Sequence, residues 1–344
     1  MGEQDMSGLG DSSFVCAYIF GRFCSNISRV LRNPRCSLFL FHRAVPAYVS
    51  VPPYVINESL HAPPRPIVHD TDGLRELRYA GSVVRQIFQE LERKLKPGWT
   101  TQDIDDFVFE RCCSKKVYPS PLGYHDFPKS VCTSVNEVAC HGIPSSSEVL
   151  QPGDLISVDI SVYTGRAHGD ACRSYVIYAS SGQLLDSQSY EKRVKTAQFL
   201  CDVAQLCCEA GASICAPNVP FHDIAQVISM VADNHGCRVV AGIRGHGIGT
   251  FLHGPPEILH SVYELPTASP ASAGVMRLGN VFTIEPCIAL ADRYGAKPED
   301  GCFQAPATPV IAEDGWTVTT TDRALCAQFE HMVEITNVGS MILT

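Results

Sequence analysis

The chain has 344 residues, 45% hydrophobic and 18% charged, which is enough to bury one large core. Its 27 basic and 36 acidic residues give a net charge of −9, which argues against nucleic-acid binding through bulk positive charge. No apolar run approaches the ~20 residues that cross a bilayer, so we expect no membrane span. None of the sixteen cysteines has the CxxC spacing of zinc or redox motifs, and we predict reduced, buried thiols.

Residues 1–69 are predicted to form an N-terminal extension with a Pro-rich linker, poorly ordered, before a catalytic domain at 70–344. Between residues 12 and 57 there are five arginines and no acid, a composition typical of a transit peptide for a mitochondrion or plastid. The acidic residues at positions 3, 5 and 11 are atypical of such a signal. Two interpretations therefore stay open: an organellar protein if residues 1–60 are a transit peptide, and a cytoplasmic one otherwise.

Within the domain, apolar periodicity and breaker residues predict helices at 71–95, 101–113, 189–211 and 221–235, the second capped by Thr100 or Thr101. Strand patterns occur at 155–163, 171–179, 281–290, 316–320 and 328–336. This order indicates an α+β fold, with a mainly antiparallel sheet covered by helices. Residues 261–279 and 295–309 are predicted to be surface loops.

Acidic residues lie in or beside several of the predicted strands. Asp159 and Asp170 are separated by a span that fits a hairpin, which would place both carboxylates on one face of the sheet. Glu285 and Glu330 also fall within strand patterns, and His246 lies between glycines that are expected to leave its imidazole exposed. Two divalent cations would cancel the −4 charge of four converging carboxylates. The oxygen and imidazole donors suit Mn, Fe, Co or catalytic Zn.

These residues occur in five motifs, and a further segment that carries the resemblance precedes them at 124–144. The chain over roughly residues 70–336 thereby resembles the type I methionine aminopeptidases, bacterial-like or organellar subtype. The motifs are Val158-Asp159-Ile160, His168-Gly169-Asp170, Gly245-His246-Gly247-Ile248-Gly249, Phe282-Thr283-Ile284-Glu285-Pro286 and Gln328-Phe329-Glu330-His331.

The resemblance implies a pita-bread fold of two pseudo-related halves around a dinuclear metal site. It implies that Asp159 binds one ion, that His246 and Glu285 bind the other, and that Asp170 and Glu330 bridge them. Glu285 would also shuttle a proton for the water shared by the ions. The reaction would be hydrolytic removal of the initiator methionine from nascent polypeptides with a small second residue, by a monomer working at the ribosome.

The same resemblance implies residues that contact the substrate. His141 would contact the scissile amide and His253 the substrate carbonyl oxygen. The methionine side chain would be held by a largely apolar set of residues: Tyr124, Phe127, Cys132 and Trp316, beside Leu252. Pro121 and Leu252 depart from the bacterial pattern, in which Cys and Phe are common, but both stay apolar.

Two alternative functions stay open at the level of sequence. A proline-specific peptidase of the same fold would keep a similar ligand set, but such enzymes usually carry a larger N-terminal domain. A catalytically inactive binding module would be expected to lose metal ligands, and here all five positions hold ligand residues. Trp316 has an alternative of its own, because tryptophan often packs in a core without any substrate role.

Overall fold

In the computed structural model, the described residues are 43–56, 62–180, 187–269, 272–291 and 305–344. Most of the predicted leader and most of the predicted loop at 295–309 therefore lie outside the described residues. Among the helices of the described part, none is both long and apolar enough to cross a bilayer.

Four α-helices form in the described ranges, close to their predicted positions. The first helix ends three residues earlier than expected, and the third extends two residues further at each end. Asp70 caps the first helix by accepting a hydrogen bond from the Gly73 amide, and Thr100 forms a capping box with Asp103 at the second. The helices are α1 (Thr71–Glu92), α2 (Thr101–Ser114), α3 (Ser187–Ser213) and α4 (Asp223–Asn234).

Fifteen short strands build four antiparallel sheets in the described ranges. They are β1 (Tyr118–Pro119), β2 (Cys132–Val135), β3 (Val138–Cys140), β4 (Leu155–Tyr163), β5 (His168–Val176), β6 (Cys237–Val239), β7 (Gly245–Gly247), β8 (Gly254–Ile258), β9 (Val281–Ile284), β10 (Cys287–Leu290), β11 (Pro309–Ile311), β12 (Val318–Thr320), β13 (Cys326–Gln328), β14 (His331–Thr336) and β15 (Gly339–Ile342).

The strand orders are β1-β4-β2 with β5 also on β4, β13-β10-β6, β11-β12-β3 and β15-β14-β9-β7-β8. Helices α1 and α2 pack with β4 around one hydrophobic core, and α3 and α4 pack with β9 and β14 around another. Two helices against an antiparallel sheet in each half is the architecture that the resemblance implies. The predicted α+β class is confirmed.

In the part of the chain that the structure describes, three short 3-10 helices lie outside these elements, at Pro53–Ile56, Tyr124–Asp126 and Val262–Thr267. The third shows that the predicted loop at 261–279 is not simply a surface loop. Glu264 within it is buried and pairs with Arg244 at 3.1 Å, and Met276 is buried in the second core. The part of this predicted loop that contains Glu264 and Met276 is thus packed against the domain.

Part of the predicted linker is also packed, in contrast to the expectation of a poorly ordered extension. Val49 is 5% exposed and belongs to a small core with Tyr118, Leu122 and Tyr163. The prolines of this segment indicated a linker, but the valines between them supply buried surface. The domain boundary at residue 70 remains a prediction.

Candidate active site

The hairpin of β4 and β5 places two carboxylates side by side. In its register Asp159 is opposite Cys172 and Ser161 is opposite Asp170, so the two acids share one face. The Ser161 hydroxyl donates to Asp170 Oδ1 at 2.7 Å. The predicted hairpin is confirmed, but β5 begins at His168, so Asp170 lies inside the strand and not ahead of it.

The two glutamates lie at breaks between strands, where single strands were predicted. The pattern at 281–290 divides into β9 and β10 at Glu285, and the pattern at 328–336 gives way to a break at Glu330 between β13 and β14. Pro286 has no amide proton and cannot continue the sheet ladder after Glu285. The Glu330 amide instead donates to the Cys172 carbonyl of β5 at 2.9 Å, which ties it to the first hairpin.

His246 is buried, contrary to the expected exposed imidazole. Its flanking glycines serve strand packing: a methyl group on Gly245 would collide with the Thr283 carbonyl, and one on Gly247 with the Pro255 carbonyl. Thr283 links two of the candidate ligands. Its hydroxyl accepts from the His246 amide at 3.0 Å and donates to Glu285 Oε1 at 3.0 Å.

Donor atoms from three distant parts of the chain meet at this place. One ligand atom each from Asp170, His246 and Glu330 lie within 4.8 Å of one another. The His246 Nε2 atom is 3.7 Å from Asp170 Oδ2 and 3.6 Å from Glu285 Oε1. Asp159 Oδ1 is buried and has no hydrogen-bond partner among the described residues. A buried carboxylate oxygen without a partner is costly, and these donors fit a divalent cation.

Burial and mutual repulsion shift the titration of these groups. Burial raises the pKa of Asp159 to about 7. It also raises the pKa values of Asp170, Glu285 and Glu330 well above their ordinary range, with repulsion among the carboxylates adding to the effect. Burial lowers the pKa of His246 to about 4, so its neutral imidazole has a free electron pair for a cation. Cations would favour the ionised acids and remove the repulsion.

The cluster lies in a cavity of about 460 Å³, and every residue predicted to bind metal or substrate lines it. The lining includes Tyr124, Phe127, Cys132, His141, Asp159, Asp170, His246, Leu252, His253, Glu285, Trp316 and Glu330. Trp316 is only half-buried, with its ring 5.0 Å from that of Phe127. It lies just ahead of β12 and belongs to a cavity wall, which does not favour the alternative of core packing.

Two further imidazoles face the cluster. His141 has a left-handed backbone with φ of 54°, and its ring lies 6.1 Å from Trp316. Its Nδ1 is buried without a hydrogen-bond partner in the described part of the chain, and burial lowers its pKa to about 4. His253 packs against His246 with ring centres 4.2 Å apart, and its Nδ1 is 2.7 Å from the Tyr124 hydroxyl.

His260, which no sequence pattern singled out, is fully buried behind Glu285. Its Nδ1 is 2.9 Å from the Ile243 carbonyl, which can only accept, so Nδ1 carries the proton. Its Nε2 then accepts from the Glu285 amide at 3.2 Å. This contact holds the backbone at the break between β9 and β10. The residue lies at the edge of the predicted loop, and no signal in the sequence linked it to Glu285.

Comparison with known proteins gives a consistent result. The model of metallopeptidase family M24 matches residues 75–337. The chloroplastic/mitochondrial methionine aminopeptidase 1D of Arabidopsis thaliana is 38% identical over 305 residues, covering 88% of this chain and 77% of the relative. The human mitochondrial methionine aminopeptidase 1D is 38% identical over 277 residues, covering 80% and 72%.

Solved structures agree with these relatives. The crystal structure of methionine aminopeptidase from Rickettsia prowazekii superposes with a TM-score of 0.67 at 29% identity, covering 81% of this chain and 99% of that one. A prolidase from Pyrococcus furiosus gives 0.55 at 14% identity, covering 81% and 65%. At that identity the prolidase shows a shared fold and supports no shared substrate.

Proposed function

From the premise that this chain belongs to metallopeptidase family M24 and is a type I methionine aminopeptidase of pita-bread fold, we propose how its residues divide the work. Asp159 would hold one divalent ion, His246 and Glu285 would hold a second, and Asp170 and Glu330 would contribute oxygen donors to both. The observation that carries this assignment is the meeting of the donor atoms of Asp170, His246 and Glu330 within 4.8 Å, in a cavity that Asp159 and Glu285 also line.

The enzyme depends on divalent metal, and we propose two ions from the group Co, Mn, Fe and Zn. When bound, such ions polarise a carbonyl and acidify water. The +4 charge of two ions balances four carboxylates that would otherwise be buried together. Titration calorimetry of the metal-free protein with Mn²⁺ tests the number: two equivalents support the proposal, and saturation at one equivalent contradicts it.

The remaining residues bind the substrate and move protons. We assign Glu285 to accept and return a proton, since its carboxylate is aimed into the cavity and held by Thr283. His141 is placed to donate a hydrogen bond at the scissile amide. His253 Nε2 would donate to the substrate carbonyl oxygen, because its Nδ1 is already engaged by Tyr124.

The apolar part of the cavity is proposed to hold the methionine side chain. Phe127 and Trp316 meet edge to face, and Tyr124, Cys132 and Leu252 complete the wall. Aromatic and thiol surfaces suit a flexible thioether. A preference for substrates with a small second residue is carried over from the resemblance to the family.

Release of methionine from Met-Ala-Ser by the Mn²⁺-loaded protein tests the substrate, with Ala-Pro-Ser as the matched comparison. Cleavage of the methionyl peptide alone supports the assignment. Preference for the prolyl peptide would favour the proline-specific alternative, and the absence of any metal-dependent cleavage would favour the inactive module.

We propose an organellar location as well. The acid-free, Arg-rich leader supports it, as do relatives named for chloroplast and mitochondrion. A fluorescent reporter fused to residues 1–60 tests this, and a diffuse cytoplasmic signal would contradict it. That the enzyme is a monomer and works at the ribosome remains a prediction from the resemblance.

A further inference from the structure

Residues 43–56, which we call the strap, are fastened to the domain at both ends. Arg43 donates to Asp106 Oδ1 at 2.7 Å, and its guanidinium lies 4.2 Å from the centre of the Phe109 ring. Val49 is buried in the small core described above. At the other end the Tyr54 hydroxyl donates to the Ser120 carbonyl at 2.5 Å. The strap is therefore attached to the domain at both of its ends.

Tyr54 brings the strap to the cavity wall. Its ring meets that of Tyr124 edge to face, with centres 5.0 Å apart and planes at 74°. Aromatic pairs in this geometry attract beyond the area they bury. Tyr124 follows the left-handed Gly123 in a short 3-10 turn, and Tyr54 packs against its ring from the strap side.

Tyr124 in turn orients an imidazole. Its hydroxyl is 2.7 Å from His253 Nδ1. For His253 Nε2 to donate to a substrate carbonyl, the neutral ring must carry its proton there, so Nδ1 must accept and the Tyr124 hydroxyl must donate. The position of the Tyr124 ring thus sets the direction of the His253 imidazole, and its hydroxyl can donate the hydrogen bond that this tautomer requires at Nδ1.

We propose that Tyr54 is a positioning residue for peptide hydrolysis, holding Tyr124 and through it the imidazole of His253 toward the substrate. The inference rests on the proposed function of His253. It assigns a role in the reaction to a segment that precedes the catalytic domain in the sequence analysis.

The test compares two substitutions in the full chain loaded with Mn²⁺. Tyr54→Ala removes the ring, and we expect kcat/KM for Met-Ala-Ser to fall about tenfold because a small misplacement of an orienting group is costly. Tyr54→Phe keeps the ring against Tyr124 and should stay within about twofold of the parent enzyme. Mn²⁺ affinity by calorimetry should be the same in all three proteins.

A double-mutant cycle separates positioning from general destabilisation. Tyr124→Phe removes the hydroxyl that reaches His253, so Tyr54→Ala should cost much less in that background than in the parent enzyme. Fully additive losses would overturn the proposal. Two strap controls accompany the cycle. Tyr48→Ala, at a 62% exposed position, should change nothing, and Val49→Ala should lower the unfolding temperature without a matching loss of kcat/KM.

Equal kcat/KM values for Tyr54→Ala and the parent would also overturn the proposal. So would losses of kcat/KM in Tyr54→Ala and Val49→Ala that are proportional to the decreases in their unfolding temperatures. Failure of the proposed function looks different, because the parent enzyme itself would then release no methionine. A methionine-releasing parent with an unaffected Tyr54→Ala variant leaves the function standing and removes only the strap's role.

Discussion

Glu285 and Glu330 occupy matching positions on two paired strands that leave one sheet and enter another together. Ile284 is opposite His331 in the β9–β14 pair, and Cys287 is opposite Gln328 in the β10–β13 pair. Continuing either register across the break sets Glu285 opposite Glu330. The interruption of both ladders at one level turns two strand residues toward a shared cavity.

The proposed ligand roles of Asp159 and Glu330 predict that Asp159→Asn and Glu330→Gln each abolish hydrolysis. Each change removes a charged donor, so Mn²⁺ affinity should fall at least about a hundredfold. This decrease exceeds the one expected when a residue that only hydrogen-bonds to a metal ligand is lost. Calorimetry and Met-Ala-Ser cleavage measure the two effects. Near-normal turnover in either variant would refute the ligand assignment.

Glu334→Gln is the matched control for Glu330→Gln. Glu334 is a buried glutamate of β14 that pairs with Arg78 at 2.5 Å. Its substitution should destabilise the fold while leaving Mn²⁺ affinity intact.

His141→Ala is expected to reduce kcat about a hundredfold with unchanged metal content, since the imidazole lies in the cavity but outside the proposed ligand set. Metal analysis of the purified variant, set beside its turnover, checks this. A parallel loss of metal and activity would show that His141 belongs to the ligand set.

Trp316→Ala should raise KM for methionyl peptides about tenfold, because part of the apolar wall is lost. The free energy of unfolding should change by less than about 1 kcal/mol, since the ring is half-buried and outside the main cores. Steady-state kinetics and urea unfolding give the two values. A large loss of stability with unchanged KM would restore the interpretation of Trp316 as a core residue.

The raised pKa of Asp159 gives a pH test on the metal-free protein. An acid whose pKa rises from 3.8 to about 7 on folding favours the folded state at low pH, and that contribution is lost as the pH increases from 3.8 to about 7. Asn resembles the protonated acid. The unfolding temperature of Asp159→Asn should therefore exceed that of the parent increasingly as pH rises through this window.

The buried histidines have the opposite dependence, but they are common to both proteins and cancel in this comparison. Saturating Mn²⁺ should remove the advantage of Asp159→Asn, because bound cations stabilise the ionised parent. A constant difference between the metal-free proteins across the window would contradict the raised pKa of Asp159.

Much of the fold was predictable from local patterns. Strand β4 matches its prediction at both ends, because β-branched residues at every second position, with Leu and Tyr at the ends, specify it. The hairpin that places Asp159 and Asp170 on one face followed from residue spacing, whereas its register is seen only in the structure. The break at Glu330 was not predictable, because its cause is the distant Cys172 carbonyl, and no local signal reports such a contact.

In the site, too, local motifs were predictable and contacts between distant residues were not. Motif likeness identified residues that line one cavity, but the burial of His246 and the contact of His260 with Glu285 depend on packing between elements far apart in sequence. Tyr54 was assigned to a linker because its neighbours are prolines, and only the fold brings it to Tyr124.

The attachment of the strap limits how the polypeptide can be matured. A processing protease that removes a leader must cut before Arg43 if the ion pair with Asp106 and the buried Val49 are to survive. A cut between Val49 and Tyr54 would remove Val49 from the small core that it shares with Tyr118 and Leu122, and would also remove Arg43. The mature N-terminus of a working enzyme is therefore expected upstream of residue 43, a position that mass spectrometry of the isolated protein would read directly.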